Sequence, residues 1–419
     1  MKYTFKTDID AREFDAFVES FPSTSFMQLS CWAKVKSTWD HVLAGMVDEN
    51  DQLVCSAMIL KRKLFLNWKL YYIPRGFVID YSNEELLHAF VTELRRAAKK
   101  DGAIDIKVDP FTCFSEESTQ KVLDGKDVDT IRLFTQDTER ITSALIKEGF
   151  THGGYKKEIG AYIQPRFTMA IPLVDREMKP LDKEVLRRSF PKNTRNYIGE
   201  YQRKRGVEFY YSQNSDDVKD LVKVLSCTEE RQNIVLRNEA YFKGIMEAYP
   251  QHARLYFAKI NISRYLDFLE EDAQKDAKRR EISEKRKQEA LEVREKYGEE
   301  PLVGATIVLL PTAASGIRVA SFLYAGTNTD ILPSLKITNG LMYYRLCTCM
   351  DYGATVCDLG GVEGTLDDSL TTFKSKFNPN VLELVGEYDL FLNKPMYDAF
   401  EWALKVYKKG RTALRNRKK

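Results

Sequence analysis

Two aspartates and a lysine draw attention through their neighbours. Lys374 lies between Phe373 and Phe377, a short way after Asp358, and Asp358 precedes the glycine pair Gly360-Gly361. Residues 354–359 are short, apolar and partly β-branched, so they read as a buried strand closed by those glycines, with residues 373–377 in a loop beyond it. Asp109 belongs to a second such place, residues 104–110, whose alternation is that of a strand ending at Asp109-Pro110. Sites in open α/β sheets form at the carboxyl ends of strands. A carboxylate there can orient or take a proton, and an ammonium beside aromatic rings can face a developing negative charge. Plainer roles exist for the same residues. An aspartate before Gly-Gly often caps a turn, and a lysine between two core phenylalanines can simply reach the surface.

The elements that must position these residues repeat. Met342, Leu346, Cys349 and Met350 recur at helical spacing, and Tyr352-Gly353 supplies a stop before the strand that holds Asp358. Residues 84–100 form a clear amphipathic helix with Leu86, Leu87, Phe90, Val91, Leu94 and Ala98 on one stripe, leading through Asp101-Gly102 to the strand that ends at Asp109. Helix, glycine, strand and aspartate therefore occur twice, which suggests an internal repeat of a strand-rich α/β unit. Around them the pattern predicts a short amphipathic helix at 26–36 and strands at 53–60, 68–73 and 77–80. A helix at 137–148 and a strand at 167–171 follow. Next come a basic helix at 191–205 opened by Pro191, a strand at 207–211 and helices at 216–229 and 239–249. Strands resume at 303–309 and 318–325.

Between them the composition changes abruptly. From residue 267 to 300, 21 of 34 residues are charged, while Ile262, Leu266, Leu269, Ala273 and Ala277, then Ile282, Ala290, Val293 and Tyr297, form a sparse apolar seam. That is the pattern of an antiparallel helical hairpin or short coiled coil, or of a single solvated helix.

At 419 residues and 43% apolar content, the chain has material for two or more packed domains. No run approaches the length of a membrane-spanning helix and the start lacks a signal peptide's apolar core, so a cytoplasmic location is expected. Seven scattered cysteines and four histidines without ligand spacing argue for reduced thiols and against a metal site. The net charge of +3 is mild but uneven. Residues 187–205 carry seven bases against one acid, and residues 405–419 carry eight bases and no acid. Such clusters suit a polyanion or an anionic lipid surface, or are solvated faces.

Taken together, the segments Phe26-Met-Gln-x3-Trp32-x3-Lys36, Asp109-Pro110, Arg237-x3-Tyr241-Phe242, Tyr324-x-Gly326, Gly353-x4-Asp358-x-Gly360-Gly361, Phe373-Lys374-x2-Phe377 and Gly386-Glu387-Tyr388 resemble, in order and spacing, the Fem family of peptidyl aminoacyltransferases. These enzymes move an amino acid from aminoacyl-tRNA onto the stem peptide of a peptidoglycan precursor. The resemblance covers nearly the whole chain. It implies two acetyltransferase-like (GNAT-type) α/β subdomains, residues 1–155 with 387–419 and residues 156–261 with 299–386. The second would be interrupted by a helical arm at 262–298. It also implies that Lys36, Asp109, Arg237, Tyr241 and Tyr324 fall where the family meets its muropeptide, and that Phe373 and Lys374 fall where it places the aminoacyl ester, while Trp32 and Asp358, inside the same motifs, are counted with the substrate-binding residues. The implied partners are aminoacyl-tRNA as co-substrate and lipid II or a related precursor, with no further cofactor and with peripheral contact at the inner membrane leaflet open to the basic tail. Two departures are a short arm and Ala103-Ile104, where some relatives have an aromatic residue.

An aminoacyl ester is already activated. Its transfer to an amine needs the nucleophile deprotonated, the centres held together and the oxyanion stabilised. Lys374 could serve the oxyanion or the acceptor end of tRNA. Asp109 or Asp358 could orient or deprotonate the amine, and Lys36 and Arg237 suit a lipid pyrophosphate. A coenzyme A-dependent N-acyltransferase would want a glycine-rich pyrophosphate loop, which the sequence lacks. A non-catalytic RNA-binding protein with a coiled-coil arm would explain the basic clusters but not the two strands that carry carboxylates.

Overall fold

Both helix-glycine-strand repeats fold as crossovers between parallel strands in a computed structural model that describes residues 3–417 apart from 23, 135, 136 and 314. In the first repeat the helix Glu84–Lys100 joins the strand Lys69–Ile73 to Ala103–Val108, and the strands pair in parallel with Ile73 opposite Val108. In the second, Ile337–Asp351 joins Val319–Thr327 to Val356–Gly361, with Ser321 opposite Asp358. Parallel neighbours cannot be joined by a tight turn, so each needs a helix-length connection.

Local sequence accounts for both helices. Asn83 accepts the N–H of Leu86 and caps the first, whose predicted apolar stripe from Leu86 to Ala98 is wholly buried. Phe90 at its centre is 0% exposed, so truncation to alanine should cost about 3–5 kcal/mol. Gly102 then turns the chain with φ of +78°, and Gly353 does the same after the second helix with φ of +74°.

Two units result. One comprises Met1–Phe114, Phe134–Arg166 and Glu383–Lys419, and the other Ser115–Leu133 and Phe167–Leu382. The first holds a seven-stranded sheet in the order Thr4–Lys6, Asp40–Val47, Leu53–Lys63, Lys69–Ile73, Ala103–Val108, Tyr388–Phe391 and Thr151–His152. The late strand Tyr388–Phe391 is thus inserted between two early ones. The second unit is built on an eight-stranded sheet ordered Cys113–Ser118, Asn380–Leu384, Phe167–Pro172, Val356–Gly361, Val319–Thr327, Leu302–Leu309, Ala253–Ile260 and Val207–Ser212. The expected mixed α/β class with two sheet-based subdomains is what the chain adopts.

The charged insertion is a pair of helices, Ile262–Ala273 and Ala277–Tyr297, packed along each other. Its base is part of the second unit's core, because Ile262, Tyr265, Leu269, Ala290 and Val293 are buried there, whereas residues 274–282 are exposed.

Several expected elements differ. Residues 26–36 form a 3-10 turn, Phe26–Gln28, and a separate helix, Trp32–Val35. Residues 77–80 do not form a strand and contribute an isolated bridge between Val78 and Ser56. The basic stretch 191–205 breaks into Lys192–Arg195 and Glu200–Arg203 at Gly199, whose φ is +76°. Residues 373–377 are not a loop: Asp368 caps a helix, Ser369–Lys374, by accepting the N–H groups of Leu370 and Thr371, and a 3-10 turn follows. Residues 115–133, expected in the first subdomain, group with the second because Cys113–Ser118 is an edge strand of its sheet. The strand Ala253–Ile260 escaped prediction because all but one of its residues are buried, leaving no alternation to read. The basic tail continues a helix, Lys394–Arg417, while Lys418 and Lys419 lie outside the described residues.

Candidate active site

In the second unit the short capped helix carries Lys374 back over the end of the strand Val356–Gly361. Its Nζ donates to the carbonyls of Gly360 at 2.9 Å and Gly361 at 2.8 Å, which leaves a third N–H. The side chain is buried, and burial lowers its pKa to about 8 against the opposing pull of Asp358 and Asp368. Gly360 has φ of +81°, and the Asp358 carboxylate accepts its N–H at 2.8 Å, so Asp358 shapes the loop whose carbonyls hold the lysine. Phe373 is half-buried, with its ring 5.8 Å from that of Phe377 and Lys376 above it at 5.7 Å. Arg345, fully buried on the crossover helix, donates to Thr306 and lies 4.5 Å over Phe322.

A second cluster in this unit gathers three predicted residues. The guanidinium of Arg237 sits 5.3 Å over Tyr241, whose ring lies 6.1 Å from that of Tyr324, and Tyr324 packs edge-on to Phe242 at 5.1 Å. Burial and Tyr324 push the Tyr241 phenol up. Strand geometry explains why Tyr324 meets the helix Glu239–Ala248, which carries Tyr241 and Phe242, while Phe322 belongs to the core that contains the crossover helix. Ile307 faces Tyr324 and Val308 faces Phe322, so Leu323 is an extra residue that reverses the alternation. Two residues on, Gly326 is required: a Cβ there would lie 2.8 Å from the backbone oxygen of Val224. The same unit has an 820 Å³ cavity lined by Arg187, Arg195, Arg203, Tyr197 and Tyr343 among others.

In the first unit Asp109 is 1% exposed. Its Oδ1 accepts the Arg75 backbone N–H at 2.8 Å, and its Oδ2 lies 3.5 Å from the Arg75 guanidinium. Burial dominates and raises its pKa to about 7 despite Arg75. Arg75, Pro110, Phe111 and Tyr81 help line a 560 Å³ cavity, and Asp109 stands behind them. Trp32 is 3% exposed, with its ring edge-on to Phe26 at 5.2 Å and Lys36 Nζ 4.8 Å above it. Trp32 therefore acts as a base for Lys36 and does not present a surface of its own.

The FemAB family model matches residues 9–296 and 277–405. The chain belongs to the FemAB family. Its relatives include the lipid II:glycine glycyltransferases of Staphylococcus epidermidis and Staphylococcus aureus, each 28% identical, with 94% of this chain and 95% of the relative covered. Among solved structures, FemX superposes with a TM-score of 0.73 at 24% identity, over 96% of this chain and 100% of that one, a likeness of fold.

For this FemAB chain the predicted residues fall into four groups: Lys36 with Trp32, Asp109 with Arg75, Arg237 with Tyr241 and Tyr324, and Lys374 with Phe373 and Asp358. Arg75 is the residue that sequence reasoning missed. Its signal was present in Pro74-Arg75-Gly76, which reads as a turn, but the turn's use is to put a non-glycine residue at φ of +55° so that its N–H and guanidinium both face Asp109. Lys107 forms a buried ion cluster with Asp389 at 2.5 Å and Glu387 at 3.1 Å, for which the sequence, unlike the turn at Arg75, gave no local signal.

Proposed function

We propose that this chain transfers an aminoacyl group from aminoacyl-tRNA to the stem-peptide amine of a lipid-linked peptidoglycan precursor. Family membership over nearly the whole chain supports the reaction class, and the named relatives make glycine the amino acid to test first. The observation that carries the reading is Lys374, a buried ammonium held on two backbone carbonyls with one N–H in reserve. An ammonium fixed in this way is suited to a developing oxyanion.

The amine nitrogen attacks the ester carbonyl carbon, and the carbonyl oxygen takes up negative charge facing Lys374. Collapse forms the amide and breaks the bond to the ribose oxygen, which leaves with the proton lost by the amine. Asp109 is a positioning residue that holds Arg75 at the wall of the first unit's cavity, where a guanidinium suits an acceptor carboxylate. Lys36, its ammonium above Trp32 in the first unit, is the cation offered to the pyrophosphate. The cavity of Arg187, Arg195 and Arg203 takes RNA phosphate, with Tyr197 and Tyr343 offering stacking surfaces.

The test is the mass of the product formed from a mixed pool of charged tRNAs and a lipid-linked acceptor. An acceptor heavier by one aminoacyl residue is expected. No gain in mass, or a gain only when an acyl-coenzyme A replaces the tRNA, contradicts the reading.

A further inference from the structure

The helix Lys394–Arg417 presents two different faces along its described side chains. On the inner one, Met396, Tyr397, Phe400, Glu401 and Leu404 are half-buried, and the helix packs on the strand Ala103–Val108. Tyr397 lies 4.9 Å from Phe391, and Phe400 lies 6.0 Å from the guanidinium of Arg62. The outer face carries Trp402, 69% exposed, and Val406, 51% exposed, one turn apart. Glu401 is the last acid in the sequence, and eight bases follow it, at 405, 408, 409, 411, 415 and 417–419.

A solvated helix has no use for a tryptophan and a valine side by side in water. A surface that merely attracts RNA phosphate is served by the cations alone. Large apolar side chains beside dense Lys and Arg on one helix are what an interfacial helix uses, the former entering the headgroup boundary and the latter pairing with lipid phosphates. We propose that the outer face of this helix docks on an anionic bilayer surface, with Trp402 and Val406 inserted and the basic run against the headgroups. Docking would hold the protein where a lipid-linked acceptor resides, and that purpose, though not the docking, rests on the function proposed above.

The test is co-sedimentation of the full chain with vesicles of equal parts phosphatidylglycerol and phosphatidylcholine, and with phosphatidylcholine alone. Binding to the mixed vesicles only, weakened by salt, is expected, with about a tenfold loss for the double variant Trp402→Ser, Val406→Ser. Both side chains are exposed, so the variant's melting temperature should match the parent's. Equal vesicle binding by variant and parent overturns the proposal. So does a variant that loses charged-tRNA binding while keeping vesicle binding, which would make the helix an RNA surface. Transfer to a vesicle-embedded acceptor should fall in the variant, while transfer to a water-soluble muropeptide should not. A parent inactive on both acceptors defeats the proposed reaction but leaves the vesicle result to decide the docking.

Discussion

In the first unit the carboxylate that follows the crossover, Asp109, is sealed against Arg75 and raised to about 7. In the second, Asp358 turns back onto its own glycine loop, and the buried ion beside it is the Lys374 ammonium, lowered to about 8. The backbone solution is the same: parallel strands, one helix, a left-handed glycine, a strand. Burial acts on both groups, and because it disfavours charge it moves an acid up and a base down. Two copies of one supersecondary unit thus supply two groups of opposite sign that both titrate near neutrality. The second copy does so by recruiting a lysine from outside the repeat.

The largest expected effect breaks the second half of that comparison. Lys374→Ala should lower kcat roughly 100-fold or more while leaving KM for either substrate little changed, as for a group acting only in the transition state. Steady-state kinetics with each substrate varied in turn would read this, and a thermal melt would confirm that the loop of Gly360 and Gly361 still folds.

The first half breaks through Asp109. Asp109→Asn and Arg75→Ala should each reduce kcat/KM by about tenfold or more, and the double variant should be little worse than either, because one ion pair is being removed twice. Additive losses would show that the two residues act independently. Asp109→Asn also has a stability signature. The folded pKa of Asp109 lies above its usual value, so its contribution is fully present at low pH and is lost as pH rises through about 7. Melting temperatures across that window should fall more steeply for the parent than for the variant.

Smaller effects sharpen the contrast between chemistry and binding. Lys36→Ala should raise the apparent KM for the lipid-linked precursor severalfold, with kcat nearly unchanged, as for a group that holds phosphate equally in ground and transition states. The hairpin should matter least at its tip. Replacing residues 274–281 with a short turn should preserve cooperative unfolding, whereas Leu269→Ala at the base should cost about 2–5 kcal/mol, read by denaturant titration.

What the sequence made legible followed from local rules. The amphipathic stripe of Leu86 to Ala98, the left-handed glycines and the charged helical hairpin are each encoded within a few residues, and they formed, although Ala277 and Ile282 of the hairpin's apolar seam stay exposed. Pairings between distant segments were not legible. Nothing near Asp109 in sequence announces Arg75, 34 residues earlier, and Lys374 gives no hint that its ammonium ends on the carbonyls of Gly360 and Gly361. The break at Gly199 and the helix around Phe373 show the other failure. There a glycine interrupted a basic stretch already holding weak helix formers such as Asn193, Thr194 and Asn196, and the Asp368 cap closed a helical turn that composition alone reads as loop.

The most direct test of the central claim, that the buried Lys374 ammonium is charged and at work during transfer, is the pH dependence of kcat for the parent and for Lys374→Arg. The parent should lose activity as pH rises through about 8, where Lys374 gives up its proton. The arginine variant, though slower because a planar fork replaces a compact ammonium, should show no such loss in that range. Superimposable profiles for the two enzymes would contradict a working ammonium and return Lys374 to the role of a loop clamp.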